Sequence, residues 1–274
     1  MITNKKIVIA APTFESNIYI ALHEQLKKLL KPEEMALRSV KDEADLQKVR
    51  LIQALEQTKP SALIAMSIRP DKSVVDAFTS ANVPIVLIDE EVPGVSSIST
   101  DNRMGGQIAG EYLIKKGRKK IAIVSGRTKV KGGFNAEQRL ICFQNALSAA
   151  GLSIPVGCTV EVIHYSREDG IEVMPKLLSM GIDAIFCAAG DNCALGLMTV
   201  IKDHGKHIPN DIAIIGFDDL RIARLSTPTL TTIRQPLEKI ADAAFHMATV
   251  EREEILRKPK KLVFHPELVI RQSV

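Results

Sequence analysis

The stretch Ile212-Ala213-Ile214-Ile215-Gly216-Phe217-Asp218-Asp219 decides how the chain is read. Its apolar run is continuous rather than alternating, so both faces of the strand are buried, as in a parallel sheet covered by helices. The run stops abruptly on two carboxylates. In open α/β sheets ligands sit beyond the carboxyl ends of the strands. One segment therefore predicts both the fold class and the place to look for a site.

The same beat extends outward on both sides. Ile7 to Ala11, Ala62 to Met66, Pro84 to Asp89, Ile121 to Val124, Val160 to Ile163 and Asp183 to Cys187 read as strands. Between them, Ile18, Leu22, Leu26 and Leu29 fall at helical spacing, and helices are expected around 46–55, 138–149, 169–180 and 193–202. Regular strand–helix alternation gives right-handed crossovers and an open parallel sheet. Ser61-Ala62-Leu63-Ile64 and Asp183-Ala184-Ile185-Phe186 resemble each other in position, each following a helix, which points to two similar lobes. The link between them is expected near Ser99-Thr100-Asp101-Asn102. There Asp101 reads as the N-cap of a helix beginning around Met104, with Gly105 and Gly106 allowing close packing.

Composition bounds the class. Hydrophobic residues at 46% and charged residues at 25% describe a soluble globular chain. No window resembles a membrane span, and the opening Met1-Ile2-Thr3-Asn4-Lys5-Lys6 does not read as a signal peptide. The net charge of +4 is spread out. Its densest cluster, Lys115 to Lys120, reads as a solvated helix C-terminus, and Arg257 to Lys261 as an exposed connector. Cys142, Cys158, Cys187 and Cys193 form no CxxC pair and read as buried reduced thiols of a reducing, cytoplasmic compartment. His204 and His207 lack partners at ligand spacing, so neither a metal site nor a cofactor is expected.

Polar residues just after the apolar runs are the candidate ligand groups. They are Asp89, Asp191, Asp218 and Gln235, joined by Arg139 early in a helix. Three carboxylates, a guanidinium and an amide suit a neutral polyhydroxylated or heterocyclic ligand, since carboxylates accept from O–H and N–H donors and arginine donates in a fixed fork. Gly216 would let the backbone approach closely. Other roles remain open: Arg139 as a surface ion-pair partner, Tyr19 as core filler rather than a stacking aromatic, Asp219 as a turn cap. Nucleophile-elbow, phosphate-loop, dinucleotide and zinc-protease motifs are missing, and Lys131-Gly132-Gly133 reads as a flexible loop without the context of a phosphate cradle. Glu90-Glu91 are adjacent and so point apart. No enzyme is expected; an α/β enzyme acting on a nucleoside or sugar is the weakest reading.

Four segments carry a family resemblance: Thr100 to Gly106 continuing to Ala122; Arg139 to Phe143; Ile208 to Asp219 with Pro228 to Pro236; and Pro266 to Ser273. Together they resemble the effector-binding core of LacI/GalR transcription regulators. The resemblance implies a two-lobed, type I periplasmic-binding-protein-like α/β fold, each lobe a parallel sheet flanked by helices. Residues 1–101 and 235–262 would form one lobe, and 102–234 and 263–274 the other. It also implies a homodimer and a small effector, a sugar or related polyol or nucleobase. On this reading Arg139 and Asp218 touch the effector, Asp89, Asp191 and Gln235 match sugar-contacting positions, and Tyr19 falls where a stacking aromatic is common. The typical Asn-Asp pair reads Gly190-Asp191 here, and no tryptophan is present. Operator DNA would be reached only through an N-terminal helix-turn-helix, which this sequence does not contain before Ile7. The alternative is the substrate-binding protein of a sugar ABC transporter, which shares the fold.

Overall fold

The computed structural model describes residues 6–15, 17–41, 43–128 and 134–274. Ser16 and the Lys131-Gly132-Gly133 loop of the sequence reading lie outside the described residues. The chain divides into two compact units, Met1–Thr100 with Pro236–Phe264, and Asp101–Gln235 with His265–Val274.

The first unit contains β1 (Ile7–Ala11), α1 (Asn17–Leu26), β2 (Met35–Ser39), α2 (Ala44–Thr58), β3 (Ala62–Met66), α3 (Lys72–Ser80), β4 (Ile85–Ile88) and β5 (Ser96–Thr100). The second contains α4 (Asn102–Lys115), β6 (Ile121–Ser125), α5 (Phe134–Ala149), β7 (Thr159–Glu161), α6 (Arg167–Ser179), β8 (Ala184–Cys187), α7 (Asp191–Asp203), β9 (Ala213–Asp218), α8 (Arg221–Leu225) and β10 (Thr231–Arg234). The chain then returns α9 (Leu237–Thr249), α10 (Arg252–Arg257) and β11 (Lys261–Phe264) to the first unit, and β12 (Glu267–Val269) to the second.

Each unit holds one six-stranded sheet, in the orders β11-β5-β4-β3-β1-β2 and β12-β10-β9-β8-β6-β7. The first sheet is parallel throughout. The second departs from the expected parallel sheet at one edge, where β12 runs antiparallel to β10. The register explains this. Only His265 and Pro266 separate β11 from β12, so β12 starts beside the last residue of β10 (Arg234 opposite Glu267) and can only run back along it.

Continuous hydrophobicity in the strands follows from cores on both faces of each sheet. In β1, Ile7, Ile9 and Ala11 face the side covered by Leu22 and Leu26 of α1 and Ile240, Ala244 and Met247 of α9. Val8 and Ala10 face Leu51 of α2 and Val74 and Phe78 of α3. In the second unit, Ile121, Phe186, Ile215 and Phe217 meet Leu113 of α4 and Phe143 and Leu147 of α5. Val124, Ile185 and Ile214 meet Met174 of α6 and Leu197 and Ile201 of α7.

Helix starts obey local chemistry. The Asp101 carboxylate accepts from the Met104 amide at 2.9 Å, the Asp71 carboxylate from the Val74 amide at 2.9 Å, and Ser166 with Asp169 forms a capping box ahead of α6. The two basic clusters are more built-in than their charge suggests. Arg118 donates to the carbonyls of Pro209 (2.7 Å) and Asp183 (3.3 Å). Lys261 opens β11 and pairs with Glu91, so that stretch is partly a strand rather than a connector. Cys158, Cys187 and Cys193 are buried free thiols, whereas Cys142 is only half-buried, on an α5 face that the core does not cover.

Candidate functional site

In the second unit, β6, β8, β9 and β10 are parallel neighbours, so their carboxyl ends lie side by side. Arg139 reaches this edge from α5. Its Nε donates to Asn102 Oδ1 at 2.6 Å and its Nη1 to the Ala188 carbonyl at 2.9 Å. The guanidinium carbon lies 3.5 Å from the centre of the Phe217 ring, a cation–π stack. Asn102, the first residue of α4, is 1% exposed, so this bond is sheltered from water. Arg139 is therefore a positioned donor. Its α5 comes this close to α4 because Gly106 has no side chain: a Cβ there would sit on the Arg139 carbonyl, 2.9 Å from its carbon.

Asp218 ends β9 with a left-handed φ of 107°, and its Oδ1 accepts from Gln235 Nε2 at 2.6 Å. The Gln235 amide also donates to the Asp218 carbonyl at 3.3 Å, which fixes both groups at the edge. Asp219, weighed above as a turn cap, instead holds an ion-paired cluster. Its carboxylate accepts from Arg234 Nε at 2.7 Å and from Arg271, and its side chain is 3% exposed.

Asp191 stands at the strand end as its spacing required, but the fold buries it completely. Its Oδ2 accepts from the Leu220 amide at 2.7 Å and its Oδ1 from the Thr232 hydroxyl at 2.6 Å. The space that Gly216 leaves is filled by this carboxylate, so the close approach at Gly216 is made by Asp191. Burial first, and then the charge of Asp218, push the Asp191 pKa well above the usual carboxylate range, against the pull of the Thr232 and Leu220 hydrogen bonds. A carboxyl whose pKa is raised in the fold contributes stability below its unfolded value of about 4, and loses it as pH rises through the folded value. Asp191→Asn keeps the shape without the charge. Relative to the parent, this variant should become progressively more stable as pH rises from about 4 towards 7. Urea unfolding across that range checks it, and parallel curves for the two proteins would contradict it.

Sequence reasoning missed three residues of this edge. Asn102 and Phe217 hold Arg139, and Tyr165, in the loop after β7, packs its ring and hydroxyl on Gly126 at the end of β6. Tyr165 follows the Val160–Ile163 run by two residues, so the strand-end rule would have found it had aromatics been counted with polar residues.

The first unit carries Asp89 and Tyr19. Asp89 closes β4 in a left-handed turn with φ 60°, and its amide donates to the Ile98 carbonyl at 2.9 Å. Tyr19, on α1, is half-buried and packs against the core with Phe14. Beside Asp89, Glu90 is 7% exposed and lies 3.6 Å from Arg69. Burial raises its pKa, and the Arg69 charge opposes the shift. Glu91 turns away to Lys261, so the adjacent carboxylates do point apart. Among the described residues there is no group of three or more His, Cys, Asp or Glu placed to hold a metal ion, and no helix is long and apolar enough to cross a membrane.

Residues 110–274 match the family model of the periplasmic binding protein-like domain. The chain belongs to this family. Within it the chain is a LacI/GalR-type effector-binding domain. The HTH-type transcriptional repressor PurR of Klebsiella pneumoniae (strain 342) is 29% identical, over 98% of this chain and 80% of its own length. Two crystal structures share the fold. The transcription regulator CcpA of Lactococcus lactis superposes with a TM-score of 0.83 at 23% identity, over 98% of this chain and 99% of its own. A LacI family transcriptional regulator from Enterococcus faecium with bound ribose gives 0.85 at 20%, over 98% of each chain. These relatives are regulators, not enzymes or transporter components.

Proposed function

We propose that this LacI/GalR-type domain binds a small neutral effector, a sugar or a related polyol or nucleobase, through Arg139, Asp218 and Gln235 at the strand ends of the second unit; Asp89 and Tyr19 are the candidate ligand groups of the first unit taken by itself. Asp191 serves the same edge from beneath by fixing the Leu220 and Thr232 positions. One observation carries the reading: a guanidinium locked on Phe217 beside a carboxylate–amide pair at the strand ends. Such an edge offers fixed donors and acceptors at no ordering cost when ligand arrives, and hydroxyl-rich or heterocyclic molecules answer both. Ribose in the Enterococcus faecium structure supports the sugar class. Four free cysteines support a reducing, cytoplasmic setting. The domain acts as a homodimer and acts on DNA only through a separate DNA-reading segment. Effector occupancy controls that segment by its differential affinity for two conformational states.

Thermal unfolding against a panel of sugars, sugar alcohols and nucleobases tests the reading. A ligand at a hundred times its Kd adds about 2.7 kcal/mol, a shift of about 5–10 °C at this size. The same preparation should scatter light as a dimer. A monomer stabilised by nothing in the panel would overturn the proposal; a monomer stabilised by a sugar would favour the transporter binding protein.

A further inference from the structure

Asn102 is the first helical residue of α4, one position after Asp101, where the chain enters the second unit. The helix itself has no need of an asparagine there. Asp101 supplies the cap, its carboxylate accepting from the Met104 amide at 2.9 Å and its carbonyl from the Gly105 amide at 3.0 Å. Asparagine ranks low as a helix former, and an amide side chain 1% exposed is costly to bury unless it is hydrogen-bonded. Its carbonyl oxygen is taken by Arg139 Nε at 2.6 Å. Gly106 lies four residues on, hence on the same helix face, and lets that face rest on the Arg139 backbone. The start of α4 thus touches Arg139 twice, at its side chain and at its main chain. The stack on Phe217 fixes the plane of the guanidinium but not its rotation within that plane. Guanidinium N–H groups point outward in the plane, so Asn102 on Nε and the Ala188 carbonyl on Nη1 stop that rotation.

We infer that Asn102 is the positioning residue of this edge: it orients the Arg139 fork and couples it to the first turn of α4, where the chain crosses into the second unit. This rests on the effector reading above and adds its regulation. An effector held by Arg139 stiffens the start of α4 without touching it. Coupling of this kind is reciprocal, so loosening the start of α4 weakens the hold on the effector.

Arginine-selective 15N labelling tests the first half with no effector present. The Arg139 Nε–H is assigned as the signal that Arg139→Lys removes. It should exchange slowly with water in the parent and in Asn102→Asp, which keeps an acceptor. In Asn102→Ala it should exchange about tenfold faster, the loss of one hydrogen bond. A merely helix-starting role for Asn102 would leave this signal unmoved. Amide hydrogen exchange tests the second half. Arg139→Lys, 37 positions away in sequence, should speed exchange at the Met104 and Gly105 amides by about tenfold, as Asn102→Ala does. The amides of α9, in the first unit, serve as the reference for any general loss of stability. D-ribose and adenine are then added in turn, and whichever binds should slow the same two amides in the parent but not in Asn102→Ala. An Arg139 signal unchanged in Asn102→Ala, or α4 amides unchanged in Arg139→Lys, overturns the inference while the effector reading stands. Parent protein that binds neither compound returns the effector reading to the wider panel, and the two effector-free results still decide the inference.

Discussion

Replacing Gly106 with alanine should destabilise the protein by about 3 kcal/mol, at the upper end of what overpacking costs. The added methyl group has no flexible neighbour to displace. It meets the Arg139 carbonyl oxygen, with the carbonyl carbon at 2.9 Å and Cα at 3.0 Å, so α4 and α5 must separate as whole helices. Separation breaks the packing of Leu113 and Tyr112 against Phe143 and Leu147. It also draws Arg139 off Phe217, so effector affinity should fall together with stability. Denaturant unfolding gives the first number and calorimetry with the panel hit the second. An unchanged unfolding midpoint would mean that the helices do not approach this closely.

Truncating Arg139 itself has the other large effect. Arg139→Ala strips the buried Asn102 carbonyl and the Ala188 carbonyl of their donor and removes the stack on Phe217. Losing a donor to a buried acceptor costs about 1–3 kcal/mol and the stack about 1 kcal/mol, so a stability loss of roughly 2–4 kcal/mol is expected. Binding should weaken by about a hundredfold, equivalent to about 2.8 kcal/mol. Arg139→Lys separates the two effects. It keeps the charge but loses the planar fork that serves Asn102 and Ala188 together, so it should recover part of the stability and little of the affinity. An Arg139→Ala protein that binds the panel hit as the parent does would remove Arg139 from the site.

The sequence was most legible where burial is symmetric. β1, β3, β4, β6, β8 and β9 have cores on both faces, and that leaves an unbroken apolar run in each. Edge strands lack this signature. β2 is half-exposed along Ala36–Ser39, β11 begins on Lys261 and exposes its first three residues, and β12 is three residues long with its first exposed. Arg139 and Asp218 could be singled out because strand ends and helix starts are local features. What holds them could not. Asn102 is 37 positions from Arg139, and Phe217 was read only as the last apolar residue of its strand. The position of Asp191 was legible, but its burial was not. That depends on Thr232 and Leu220 closing over it, 41 and 29 residues away.

The route of the chain has a consequence for its synthesis. The first sheet lacks an edge strand, and α9 of its core, until residues 237–264 have emerged. The second sheet waits longer. β12 is its edge, and Ser273 ties β9 to β10 by donating to the Ile214 carbonyl at 2.6 Å and accepting from the Thr231 amide at 2.8 Å. Domains ordinarily fold in turn, N-terminal first, as the ribosome delivers them. Here neither unit can finish early. Both are completed by the same late stretch of polypeptide, so a premature stop anywhere before residue 264 removes structure from both units at once.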